Sequence, residues 1–366
     1  MLSLGLVLSC ALARAEAPGE FSAARAEAVE AAVTAAMARL GIPGVSVAIA
    51  SGGTLRFAAG YGQSDVENGV PAKAVTVYRL ASVSKPITAA AVLKLAEDGK
   101  LDLDAPIQRY VPAFPEKAFP VTARQLLGHL GGIRHYRDDE PPNAKAYSGI
   151  ESGLSFFKDD ALVAEPGTKY SYSTYGYNLL GAAIEGAAKK PYLDYLREAV
   201  FARAGMTAIR ADEVRPLIAN RAQGYTRTKG GDLFNSGLAD VSYKVPGGGL
   251  IATASDVARF GAALGTGALL NRESLAAMLT SQREKSGRAT SYGLGLEIGA
   301  GGKRREAWHT GGQERVSTLL FLLPDEGLGI AVLTNLEGVG HDLVVLARRL
   351  ADVATAPEGQ ASAPKR

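Results

Sequence analysis

Strand-like segments stand at both ends of this chain with helical ones between, and that distribution limits the fold more than any single motif. Near the start, Val45, Val47 and Ile49 alternate with small residues, the period-two pattern of a strand. Ser51-Gly52-Gly53 turns the chain, and Leu55 to Ala59 returns it as a hairpin. Near the end, Gly293 to Ile298, Ser317 to Leu323 and Leu328 to Thr334 read as strands, the last two joined through Pro324-Asp325-Glu326-Gly327. Residues 21–40 predict an Ala-rich helix, Ser82 to Glu97 a second one closed by Gly99, and Val339 to Ala351 a final one. Within the middle stretch, Gln125 to Leu127, Tyr177 to Ala188 and Tyr192 to Ala202 are helix candidates between Pro- and Gly-rich connections. The economical arrangement is an α+β fold, an α/β sandwich in which one antiparallel sheet built from both termini is flanked by helices. Residues 16–99 and 246–354 then form the sheet domain and 100–245 an inserted, mainly helical subdomain. Residues 355–366 are a small, polar tail expected to be disordered.

At 366 residues, 47% hydrophobic and 21% charged, the chain can bury a substantial core. Net charge is +3 without a basic stripe; Lys303-Arg304-Arg305 reads as a solvated turn, so no nucleic-acid partner is expected. Leu2 to Ala13 is nearly all apolar and runs into Ala13-Arg14-Ala15, which resembles a secretory signal over residues 1–15. It is too short to span a bilayer, so the expectation is a periplasmic or secreted protein with no integral membrane span. Cys10 is the only cysteine, and Val7-Leu8-Ser9-Cys10 offers a lipoprotein site as the alternative. Cleavage after Ala15 would leave neither disulfide nor thiol nucleophile. The chain has no His-Glu-x-x-His and no Cys-x-x-Cys, so no metal or other cofactor is expected.

Ser82-Val83-Ser84-Lys85 carries the chemistry. A serine hydroxyl needs a neighbouring base and donors for an oxyanion, and a lysine three residues along a helix shares the serine's face. The same spacing recurs at Ser155–Lys158 and Ser362–Lys365, but only Ser82 stands at a loop-to-helix junction after a strand-like segment. Two later segments add to it: Tyr172-Ser173-Thr174 in a loop before a helix, and His309-Thr310-Gly311-Gly312 before a strand, where glycines let a ligand approach. A Gly-x-Ser-x-Gly elbow is absent.

Ser-x-x-Lys, Tyr-Ser-x and His-Thr-Gly in this order resemble the beta-lactamase-like serine hydrolases: class C beta-lactamases, D,D-peptidases, D-aminopeptidases and related esterases. Leu80–Lys85, Val121–His129 and Pro246–Asp256 fit that family's nucleophile, leucine-rich and Gly-rich segments. Gly132–Tyr136 and Tyr172–Tyr177 look most like the mitochondrial beta-lactamase-like serine protease. The resemblance implies that Ser82 forms an acyl-enzyme with a peptide or small-molecule substrate, Lys85 takes its proton and Tyr172 passes a proton to the leaving group. The backbone N–H groups of Ser82 and Gly312 would form the oxyanion hole, and Thr174, His309, Thr310 and Gly311 would line the substrate.

Two departures matter. Thr174 stands where many relatives have Asn, so Lys85 and the acyl amide would be held differently, and His309 stands where beta-lactamases usually have Lys. A mostly neutral imidazole facing the substrate would anchor a carboxylate poorly at pH 7. Both changes favour a peptidase or esterase, with beta-lactamase as the alternative. A second alternative, from the polymerising mitochondrial relative, is a catalytically weak binding or filament-forming module, and a homo-oligomer fits either. His129 and His135 read as structural hydrogen-bonders, and His341 as solvent-facing.

Overall fold

The computed structural model describes residues 21–138, 140, 144–299, 302 and 304–357. The signal segment 1–15 with Cys10, the Ser362–Lys365 pair and the tail beyond Pro357 lie outside the described residues.

One antiparallel sheet of seven strands is built from both ends of the chain. Its strands are β1 (Gly44–Ser51), β2 (Thr54–Asp65), β3 (Val70–Pro71), β4 (Glu297–Ile298), β5 (Ala307–Gln313), β6 (Val316–Leu323) and β7 (Leu328–Thr334), in the order β3-β2-β1-β7-β6-β5-β4. The centre is the β1–β7 pair, in register from Val45 opposite Thr334 to Ser51 opposite Leu328. The helices that matter for the site and core are α1 (Ala23–Leu40), α2 (Ser84–Glu97), α3 (Thr174–Ala188), α4 (Ala254–Gly265) and α5 (Gly340–Thr355).

The alternation in β1 sorts two cores rather than a core and a wet face. Val45, Val47 and Ile49 join Leu328, Ile330 and Val332 against α1 and α5. Ala48, Ala50, Ala331 and Leu333 face the opposite way, toward α2 and α4. The small residues are needed there because α4 lies directly on the strands. A Cβ on Gly329 would come 2.3 Å from the Ala258 carbonyl oxygen, so no side chain fits between helix and sheet.

Several boundaries differ from the sequence reading. The helix read from Ser82 begins as a 3₁₀ turn, Ala81–Val83, and becomes α-helical at Ser84. Helix α3 starts at Thr174, three residues before Tyr177, because Ser173 caps it: its Oγ accepts from the Gly176 N–H at 2.9 Å. The segment Tyr192–Ala202 runs on to Ala204 through a π-turn at Arg197–Phe201. Of Gly293–Ile298 only Glu297 and Ile298 pair as a strand, since Gly293 donates back to Leu296 in a turn and Gly295 is left-handed. Trp308–Gly312 lies within β5 rather than before it.

Candidate active site

The nucleophile candidate is held by backbone on both sides. Strand Val77–Arg79 pairs with Leu250–Thr253, and the next residue, Leu80, donates its N–H to the Leu250 carbonyl at 2.8 Å. The Leu80 carbonyl in turn accepts from Thr318 Oγ1 on β6 at 2.7 Å. Ala81 then takes φ +48°, a left-handed conformation that costs a non-glycine residue about 1–3 kcal/mol. Anchored this way, the kink turns Ser82 out at the start of α2. Gly311 on β5 presses on the same kink: a Cβ there would lie 2.1 Å from Thr318 Oγ1 and 2.3 Å from the Leu80 oxygen. Gly311→Ala is expected to displace the Ser82 turn and cut turnover at least tenfold with unfolding still cooperative. Steady-state kinetics beside a thermal melt test this, and unchanged kcat would refute it.

Lys85 lies three residues after Ser82, in the first turn of α2, fully buried. Its Nζ donates to Ser82 Oγ at 2.9 Å, Thr174 Oγ1 at 3.1 Å and the Gly247 carbonyl at 2.6 Å. All three acceptors are neutral. Burial first, and the charge of Lys244 second, hold its pKa well below the usual lysine value. Tyr172 reaches the same oxygen from the opposite side, donating its hydroxyl to Ser82 Oγ at 2.8 Å. Burial pushes the Tyr172 phenol above its ordinary value, so it stays protonated at neutral pH. One serine oxygen thus sits between an amine inclined to be neutral and a phenol inclined to keep its proton.

The loop holding Tyr172 is pinned by two histidines. His129 Nδ1 accepts from the Ser173 N–H at 3.1 Å, and His135 Nδ1 accepts from the Thr174 N–H at 3.3 Å. Burial keeps the His135 imidazole down at about 4 and His129 lower than usual, so both remain acceptors. These are the structural hydrogen bonds that the sequence suggested.

The structure places His309 and Thr174 inside the protein. The His309 side chain is 2 % exposed and points inward. Its Nε2 meets the Tyr292 hydroxyl at 2.9 Å and its Nδ1 the Thr310 carbonyl at 2.6 Å, with its pKa lowered to about 3 by burial and by Lys85. On β5 it shares the face of Ala307 and Gly311, the buried one, so it does not read substrate charge at the rim. His309→Lys, which the substrate-facing reading would expect to aid carboxylate substrates, is instead expected to destabilise the fold by on the order of 3 kcal/mol, because it buries an unpaired charge. Thermal melts decide, together with rates on one anionic ester. Thr174 is also buried, and its hydroxyl holds Lys85 rather than open space. Thr310 lies on the other face of β5, near the start of α5. Gly312 is exposed beside Gly311, and nothing lies within 4 Å of where its Cβ would be.

The remaining candidates separate cleanly. Ser155 is exposed and spends its hydroxyl on the Ser152 carbonyl at 2.7 Å. His341 is exposed at the start of α5. Among the described residues no cluster of His, Cys, Asp and Glu could hold a metal ion, and no helix is long and apolar enough to cross a membrane. Tyr292 and Lys244 are site neighbours that no motif marked, and Tyr136 entered only as the last residue of the Gly132–Tyr136 segment. Tyr136 stacks on His135, Tyr292 bonds His309, and Lys244 lies over the Tyr136 ring.

The beta-lactamase family model matches residues 29–355. The chain belongs to the beta-lactamase family. Among its members, the chain is 31% identical to the mitochondrial serine beta-lactamase-like protein LACTB of Homo sapiens, over 84% of this chain and 76% of that one. It is 27% identical to penicillin-binding protein 4* of Bacillus subtilis, over 80% of this chain and 68% of that one. Two solved family structures superpose closely. The octameric penicillin-binding protein homologue from Pyrococcus abyssi gives a TM-score of 0.75 at 26% identity, covering 92% of this chain and 79% of that one. The D-amino acid amidase from Ochrobactrum anthropi SV3 gives 0.78 at 25% identity, covering 90% and 98%.

Proposed function

We propose that this family member is a serine hydrolase that forms an acyl-enzyme at Ser82 and cleaves peptide, amide or ester bonds. One observation carries the reading: Lys85 Nζ and Tyr172 Oη converge on a single serine oxygen at 2.9 and 2.8 Å. With Lys85 neutral, its two N–H bonds serve Thr174 and Gly247, and its lone pair takes the Ser82 proton as Oγ attacks the carbonyl carbon. The phenol of Tyr172, still protonated, relays a proton to the leaving nitrogen or oxygen. The N–H groups of Ser82 and Gly312 stabilise the oxyanion, and water then releases the acyl group. The amidase and penicillin-binding homologues named above support amide or peptide substrates for a site of this build. The case against beta-lactams rests on Thr174, because His309 is turned away from the rim. A single purified sample assayed with p-nitrophenyl esters, D- and L-aminoacyl anilides and nitrocefin tests the reading. Rapid nitrocefin turnover with no ester or anilide cleavage would overturn the preference.

Export and assembly belong to the same reading. The apolar run and Ala13-Arg14-Ala15 support cleavage after Ala15 and a periplasmic or secreted protein, testable by N-terminal sequencing of the mature protein. The octameric state of the Pyrococcus abyssi homologue supports self-association, testable by light scattering.

A further inference from the structure

Lys244 is a buried cation without an anion. It ends the 3₁₀ turn Ser242–Lys244, is 5 % exposed, and sits three residues before Gly247, whose carbonyl receives Lys85 Nζ. Its ammonium lies 5.0 Å from the Tyr136 ring centroid and 5.5 Å from that of Tyr243, an aromatic cradle that stabilises a desolvated cation. Tyr136 stacks on His135 with ring centroids 4.2 Å apart, His135 Nδ1 accepts from the Thr174 N–H, and the Thr174 hydroxyl holds Lys85. Lys244, Tyr136, His135, Thr174 and Lys85 therefore form one contiguous path. Among the described residues no carboxylate makes an ion pair with Lys244 or with Lys85.

We infer that Lys244 is the second cation of the site, a positioning residue that acts on Ser82 through Lys85 and supplies the positive charge that buried His309 does not. This inference rests on the acyl-enzyme reading at Ser82. An ammonium near Lys85 makes a second ammonium costly and favours its free amine.

The other groups facing Lys85 leave no competing source of charge. From the loop before Arg137 come His129, His135 and Tyr136, and from the start of α3 Tyr172 and Tyr177. From β5 comes His309, backed by Tyr292. The histidines are held neutral by burial, and burial raises the pKa of each of these phenols. Of the nearby carboxylates, Glu140 is bound to Arg134 and Tyr175. Glu297 is half-buried beside Trp308, and the charge of Glu314 acts on Tyr136 and Tyr243 while that of Lys244 acts on Lys85.

The test is kcat/KM from pH 5 to 10 on wild type, Lys244→Met, Lys244→Gln and Lys244→Arg. It uses a neutral p-nitrophenyl acetate and an anionic mono-p-nitrophenyl succinate. Two neutral variants are made so that poor folding of one does not decide the outcome. A fluorophosphonate first shows whether wild-type Ser82 is the acylated residue. Expected is an acid limb moved upward by on the order of one pH unit in the neutral variants, for both substrates, with the high-pH plateau kept. Lys244→Arg leaves the limb in place. A limb that stays put while rates fall evenly at every pH makes Lys244 structural and overturns the inference. Loss confined to the anionic ester also overturns it, because Lys244 would then contact substrate. Absence of labelling at wild-type Ser82 is a different failure, that of the acyl-enzyme reading itself.

Discussion

Ser82→Ala is expected to abolish covalent labelling by a fluorescent fluorophosphonate while leaving the melting temperature close to that of wild type. The hydroxyl accepts one bond from Lys85 and one from Tyr172. It supports no backbone contact, and its loss opens no cavity of note. The turn is held instead by Leu80, through Leu250 and Thr318, and by Gly311 packed on Ala81. Removing the oxygen thus removes the chemistry and spares the scaffold. Ser155 is the built-in control, because it has the same spacing to a lysine but is exposed and bonded to Ser152. Residual labelling that disappears only in Ser155→Ala would refute the assignment.

Lys85→Met and Tyr172→Phe should each lower the acylation rate about 10²–10⁴-fold, and the double variant should be little worse than the poorer single one. The two groups share one oxygen, so losing either already breaks the proton path. Additive losses would mean that they act separately. The pH profile adds a check with a definite sign. Lys85 works as the free amine, so activity rises with pH through its lowered pKa and then levels. His135 and His309, held at about 4 and about 3, add no inflection between pH 5 and 8. The same shift has a stability consequence. A lysine whose folded pKa lies below its unfolded value of 10.5 is protonated more readily on unfolding. Wild type should therefore gain stability relative to Lys85→Met as pH rises through that window. A pH-independent gap in Tm would contradict the neutral-amine assignment.

Most of the architecture and half of the site could be read from residue patterns. The period-two alternation at Val45, Val47 and Ile49 marked a strand because side chains alternate across any sheet. It could not show that the alanines between them face α4, since a partner helix leaves no trace in the strand's own period. Ser82, Lys85 and Tyr172 were legible because their order and spacing are local or family-wide signals. His309 was misplaced for a reason that the sequence already held. On a strand it shares the face of Gly311, and Gly311 has to lie against the nucleophile turn. Thr174 was legible as a changed hold on Lys85, and its hydroxyl does accept from Lys85; that the side chain is buried came only from the fold. Lys244 carried no motif, and its meaning comes from Tyr136 and Tyr243, which only the fold brings beneath it.

The central β1–β7 pair imposes an order of events on synthesis. Val45 meets Thr334 only after almost the whole described chain exists. Until then β1 has one unsatisfied edge and apolar side chains on both of its faces. An emerging chain can form the β1–β2 hairpin early, but not the middle of its own sheet. A polypeptide ending before Leu328 would present that seven-residue edge permanently, a template for pairing with other chains. The ends of the described residues also lie side by side, with Arg25 Nη2 donating to the Ala356 carbonyl at 2.6 Å. A short linker could therefore join them, and new termini opened at the exposed Gly52-Gly53 turn would leave only α5, the linker and α1 between β7 and β1. Such a rearranged gene would shorten the loop that the central pair has to close.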